Sequence, residues 1–107
     1  MKIVIASDHG GYELKQFLID TFKKEGYDFV DYGTDSADSV DYPDYAIKVG
    51  EAVAAGEFDR GILICGTGIG ISIAANKVKG IRAAHCTDTF SAKMCKQHNN
   101  ANIIEIG

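Results

Sequence analysis

The chain is poor in the residues that build cross-linked, membrane-spanning or nucleic-acid-binding proteins. Its three cysteines, Cys65, Cys86 and Cys95, are an odd number at wide spacing. They make neither a disulfide framework nor a zinc pattern, and this usage leads to the expectation of a reduced, cytoplasmic protein. No apolar run approaches the ~18 residues of a membrane span. The apolar start Ile3-Val4-Ile5-Ala6 breaks into Ser7-Asp8-His9 too early for a signal peptide. Lys and Arg number 11 against 15 Asp and Glu, a net charge of −4. That balance argues against non-specific nucleic-acid binding, which needs many cations to displace counterions. Arginine occurs only as Arg60 and Arg82, and proline only as Pro43. There are no internal repeats, linkers or low-complexity segments. With 107 residues, 46% of them apolar, one small domain with a modest core is expected.

What is present is unevenly spread. Residues 1–59 hold 13 acids and 5 bases, and residues 60–107 hold 2 acids and 6 bases. An anionic ligand would find its field mainly in the second half. Asp28, Asp31, Asp35, Asp38, Asp41 and Asp44 read as solvated loop and cap residues.

The apolar pattern alternates between strand and helix. Residues 2–7 are short and β-branched, as a buried strand requires. Leu14, Phe17, Leu18 and Phe22 then fall on one helical face, with Lys15, Asp20, Lys23 and Lys24 off it. Gly26 suits the helix end. Residues 27–32 form a second strand and residues 34–41 a polar loop. Pro43 fits the first turn of a second helix, striped by Tyr45, Ala46, Val49 and Val53. Residues 61–65 are apolar throughout, as a central parallel strand should be. A glycine-rich turn over 66–70 leads into a short helix over 71–77. Residues 81–86 give a fourth strand, Thr87 or Asp88 caps a fourth helix carrying Phe90, Met94 and Cys95, and residues 102–106 give a fifth strand. The alternation predicts an α/β, doubly wound (Rossmann-like, flavodoxin-like) three-layer sandwich on a five-stranded parallel sheet of order 2-1-3-4-5. Ligands of such sheets sit beyond the carboxyl ends of the strands. The loops at 7–11, 33–42, 65–70 and 86–88 are therefore where function is expected.

Cys65-Gly66-Thr67-Gly68-Ile69-Gly70-Ile71-Ser72 is the strongest local signal. A cysteine ends a buried strand, and glycines let backbone N–H groups converge on an anion or on an oxygen becoming anionic. A helix N-terminus adds to that field, in which a thiol gives up its proton more readily and can act as base or nucleophile. A P-loop is excluded, since no Gly-Lys-Ser/Thr follows. A dinucleotide loop fits poorly, with Ile71 where a third glycine belongs. Asp8 and His9 after the first strand could hold hydroxyls or a phosphate, or could simply start a helix. His98 could serve as a general acid or base. His85 reads as a packed strand residue, and Cys86 and Cys95 as structural. No second Cys or His stands near Cys65 at ligand spacing, so no metal is expected.

These residues resemble a known family. Ser7-Asp8-His9-Gly10-Gly11, Asp41-Tyr42-Pro43, the run from Ile64 through Cys65-Gly66-Thr67-Gly68 to Lys77, Gly80-Ile81-Arg82-Ala83-Ala84 and Gln97-His98-Asn99 are similar to type B ribose-5-phosphate isomerase, whose wider family includes galactose-6-phosphate isomerase. The resemblance runs the length of the chain. It implies interconversion of an aldose phosphate and a ketose phosphate, in the pentose phosphate pathway, through a cis-enediolate and without metal or other cofactor. It implies a homodimer or tetramer with active sites shared between subunits. Cys65 would be the base moving a proton between C1 and C2, and Thr67 would assist proton traffic. The amides of Gly66, Gly68, Ile69 and Gly70 would hold the enediolate oxygen. His98 from a partner subunit would help open the sugar ring, with Asp8 near the ring oxygen. His9 would meet the phosphate, and Tyr42 and Asn99 would line the sugar site.

The family pattern extends by several tens of residues and a further helix that carries phosphate-gripping arginines. A single domain over residues 1–107, C-terminally shortened relative to the family, is therefore expected. A dianionic phosphate normally wants bidentate Arg. A galactose-6-phosphate isomerase subunit and a phosphosugar-binding module without turnover remain alternatives. With the first helix on one sheet face and the second to fourth on the other, the face of strands three to five would be bare and prone to association.

Overall fold

The computed structural model describes residues 1–35, 38 and 41–107. The expected loop over 34–41 therefore lies partly outside the described residues. Strands β1 (Lys2–Ser7), β2 (Asp28–Asp31), β3 (Arg60–Ile64), β4 (Ala83–His85) and β5 (Ile103–Ile106) alternate with helices α1 (Tyr12–Lys23), α2 (Tyr42–Ala54), α3 (Ile69–Ala75) and α4 (Thr89–Asn99). A short 3₁₀ turn, His9–Gly11, precedes α1. Local chemistry sets the boundaries. Pro43 stands in the first turn of α2. The Asp88 carboxylate accepts the Ser91 N–H at 2.7 Å, while the Ser91 hydroxyl takes the Asp88 N–H at 3.3 Å, closing a capping box on α4. The Ser91 backbone N–H, aided by its hydroxyl, holds the Asp88 carboxyl below its usual range.

All five strands are parallel, in the order β2-β1-β3-β5-β4. The expected order 2-1-3-4-5 is corrected at its end: β5 inserts beside β3 and β4 takes the edge. Side-chain size explains the exchange. Ile103 and Glu105 of β5 are essentially inaccessible, whereas β4 has three residues, two of them alanine, and ends in the exposed His85. The more apolar strand gains most from two neighbours, and a short strand with a polar tip suits an edge.

That order also moves a helix. The path from β4 back to β5 reverses direction, so a right-handed crossover carries α4 to the α1 face, not to the face of α2 and α3 as expected. Val4, Ala6, Leu63, Cys65 and Ile103 face α2 and α3, packing against Ala46, Val49, Ile71 and Ala75. On the other face Cys86, Cys95 and Ala101 cluster with Ala84, Ala92, Ile104 and Ile106. The bare face expected over β3–β5 is narrowed to a groove of about 750 Å³, reached by Leu14 and Phe22 of α1 and by Ala92 of α4, with Ile104 and Ile106 as its floor. Cys86 and Cys95 pack with their sulfurs 3.8 Å apart, in the structural role expected of them. Burial, and then the Cys95 thiol beside it, pushes the Cys86 thiol up to about 11. Cys86 should therefore resist iodoacetamide at pH 8 in the folded chain, and peptide mapping should find it labelled there only after unfolding.

Helix α1 departs from its expected orientation. Phe17 is 64% exposed, while Lys15, read as off the apolar face, is wholly buried. Its Nζ donates to both carboxylate oxygens of Asp31 and to the Thr34 carbonyl, each at 2.7 Å. Asp31 in turn accepts the Gly33 N–H at 2.8 Å, so it is a paired residue and not a solvated cap. A paired ammonium with its donors used is a stable occupant of the interior, whereas an unpaired one is not. Lys15→Met should destabilise the fold by about 2–4 kcal/mol in urea titrations, near the low end of the cost of breaking a buried pair because Asp31 keeps some access to water.

Candidate active site

The carboxyl edge of the sheet gathers most of the anticipated residues. Asp8 follows β1 and is nearly buried; its Oδ1 accepts the Gly11 N–H at 3.1 Å. Its N–H donates to the Ile64 carbonyl at 3.2 Å, tying the first loop to the end of β3. A side-chain carbon at Gly10 would lie 3.3 Å from both the Asp8 carboxylate and the Gly66 nitrogen, which shows how closely these loops approach. His9 is exposed beside them. Tyr42, at the start of α2, brings its hydroxyl against Gly70, where an added Cβ would stand 2.9 Å from it. Gly70 thus gives a phenol room at the start of α3.

Cys65 leaves β3 on the face packed by α2 and α3 and is 6% exposed. Its sulfur accepts the Gly68 N–H at 3.0 Å. Gly68 has φ +78°, a conformation that costs a side-chain-bearing residue and that turns its N–H back toward the sulfur. Thr67 is exposed, and its hydroxyl accepts the Ile69 N–H at 3.2 Å. Two of the amides assigned by resemblance to an oxyanion are thus engaged by Cys65 and Thr67. The Cys65 sulfur and the Thr67 hydroxyl are both tied to backbone donors of the same glycine loop.

His98 and Asn99 are not part of this cluster. They lie in the last turn of α4, and the Asn99 carbonyl accepts the Arg82 Nε at 2.6 Å just before β4 begins. In a parallel sheet the start of β4 and the end of β3 lie at opposite edges. One chain therefore carries Cys65, Thr67, Asp8, His9 and Tyr42 at its carboxyl edge and His98 and Asn99 at its amino edge. Arg60 opens β3 at the amino edge as well, its guanidinium on the Asp59 carbonyl at 2.7 Å.

Sequence reasoning missed two residues near the loop. His85, expected to be packed, is exposed, and its Nε2 lies 2.8 Å from the Thr67 carbonyl. Glu105, its ladder neighbour on β5, is fully buried, and neither carboxyl oxygen has a hydrogen-bond partner among the described residues. Burial raises the Glu105 carboxyl to about 8. A polar residue on the inward alternation of an apolar strand was the signal available for each.

A parallel sheet with helices on both faces, and a thiol held under a glycine loop at its carboxyl edge, define an α/β protein of the doubly wound class. The match over residues 3–107 to the Ribose/Galactose Isomerase family model makes the assignment specific: the chain belongs to that family of sugar-phosphate isomerases. It is 49% identical over 106 residues to ribose-5-phosphate isomerase B of Escherichia coli, covering 99% of this chain and 71% of that protein. Its fold superposes on Clostridium thermocellum ribose-5-phosphate isomerase B with a TM-score of 0.98 at 62% identity, covering 100% of this chain and 72% of that one. The Thermotoga maritima enzyme gives 0.96 at 50% identity, covering 98% and 72%. Among the described residues, no helix is long and apolar enough to cross a membrane.

Proposed function

We propose that this protein interconverts ribose 5-phosphate and ribulose 5-phosphate, a step of the pentose phosphate pathway, with Cys65 as the base. The observation that carries the reading is the Cys65 sulfur held 3.0 Å from the Gly68 N–H, beside Thr67, Asp8 and Tyr42. The thiolate takes the proton from C2 of the open aldose. The electron pair moves into a cis-enediolate, and the proton returns to C1, so C1 is reduced as C2 is oxidised and no outside oxidant is needed. Thr67 relays the proton between the two oxygens, and the remaining loop amides, those of Gly66 and Gly70, hold the developing negative charge. Asp8 assists ring opening near the ring oxygen, His9 meets the phosphate and Tyr42 lines the sugar.

His98 and Asn99 act from a second copy of the chain. Their position in the last turn of α4, at the sheet edge opposite Cys65, supports this reading. The working enzyme is then a homodimer or a dimer of dimers with shared sites, cytoplasmic and free of cofactor. The test is direct: the chain incubated with ribose 5-phosphate should produce ribulose 5-phosphate, and galactose 6-phosphate offered in parallel should react far more slowly. A preference for the six-carbon sugar would refute the pentose assignment.

A second reading, a phosphosugar-binding module without turnover, draws on one observation. Both arginines lie at the amino edge, Arg60 on Asp59 and Arg82 on Asn99, away from His9. Calorimetric binding of ribose 5-phosphate without product would favour it.

A further inference from the structure

His85 is explained neither by packing nor by the chemistry proposed above. It closes the edge strand β4, and its Nε2 lies 2.8 Å from the Thr67 carbonyl. A carbonyl can only accept, so Nε2 carries the hydrogen and donates it. The ring is seated on the next residue too: a Cβ on Gly68 would come within 2.7 Å of its Cδ2 and 2.8 Å of its Nε2. The same peptide group is engaged at its other end, where the Gly68 N–H donates to the Cys65 sulfur at 3.0 Å. Imidazole, peptide and thiol thus form one chain of hydrogen bonds, His85 Nε2–H to Thr67 O, and Gly68 N–H to Cys65 Sγ.

Such chains polarise their members. A peptide whose carbonyl accepts a hydrogen bond donates more strongly through its N–H, and a stronger N–H donor favours the anionic sulfur. We propose that His85 is a positioning residue of the isomerase site, which fixes the Thr67–Gly68 peptide behind Cys65 and so makes that thiol easier to deprotonate. His85 touches neither sugar nor phosphate in this role; it acts through the peptide. The inference rests on Cys65 being the reactive thiol of the proposed function.

Other titratable groups surround the same loop. Asp8 stands at the end of β1, Tyr42 on α2 against Gly70, Glu105 on β5 beside His85, and Cys86 just after β4; α3 contributes none. All remain when His85 alone is changed, so their titration is common to every protein compared.

The test reads the thiol without any sugar, so its outcome is independent of whether ribose 5-phosphate turns over. Alkylation of Cys65 by iodoacetamide is followed from pH 5 to 10, with peptide mapping to separate it from Cys86 and Cys95, in the native chain, His85→Leu and His85→Gln. In His85→Leu the half-maximal pH should rise by about one unit, so that labelling at pH 7 slows roughly tenfold. His85→Gln keeps an N–H donor at that position and should stay within about twofold of the native rate. Superimposable profiles for native and His85→Leu would overturn the proposal, as would a His85→Gln profile displaced as far as that of His85→Leu. Should His85→Leu fail to fold by circular dichroism, His85→Ala, which offers no side-chain N–H and adds no charge, takes its place with the same two outcomes.

Discussion

Cys65→Ala should lower the rate of ribulose 5-phosphate formation by at least about a thousandfold, the scale expected when a positioned base is removed. The fold should survive. The sulfur is small and buried in the core with Leu63 and Ile71, so alanine leaves a modest void and circular dichroism should not change. Substrate affinity should fall little, because the carbons that exchange the proton are not the groups that bind phosphate. The same variant tests the sharing of sites. Mixed with His98→Ala chains and refolded together, it should recover part of the native rate, because a mixed dimer contains one site with both an intact Cys65 and an intact His98. Full activity in Cys65→Ala alone would remove Cys65 as the base. No recovery on mixing would return His98 to the same chain's chemistry or to none.

The second large effect concerns stability, not rate. Glu105 is buried with no hydrogen-bond partner for its carboxyl among the described residues, and burial moves that carboxyl from 4.5 to about 8. Below about pH 4.5 folded and unfolded chains both hold the proton, and ionisation costs nothing. Between 4.5 and 8 the unfolded chain releases the proton while the folded chain keeps it. Stability therefore falls as pH rises through that window, by on the order of 5 kcal/mol once pH 8 is passed. Glu105→Gln has no such proton to hold. Urea unfolding at pH 5, 6.5 and 8 should show the variant gaining on the native chain at each step, with other groups cancelling in the difference. Parallel pH dependences would mean that the carboxyl finds water or a partner when it ionises.

These two residues differ in how readily the sequence discloses them. Cys65 announces itself because its signal is local: an apolar strand, then glycines at every second position, then a short helix. Asp8 after β1, the Asp88 cap and Pro43 at the start of α2 are legible for the same reason, since each acts within three or four residues of itself. Glu105 sits at an inward position of β5, but nothing in the strand says that no donor will reach it. Lys15 is similar. Helical periodicity assigns it to the outer face with Asp20, yet Asp31 and the Thr34 carbonyl, far along the chain, draw it inside.

By itself the sequence determined five strands, four helices, their parallel arrangement and the loop that carries the thiol, all through short-range periodicity, capping and backbone freedom. Only the tertiary structure decided which strand stands beside β3, on which face α4 crosses, that Phe17 looks outward, and that His98 lies at the edge opposite Cys65. It also decided that the imidazole of His85 reaches the Thr67 carbonyl. Each of these depends on which distant surfaces bury the most apolar area and which buried polar groups find partners. Both are sums over the whole fold, which no window along the chain contains.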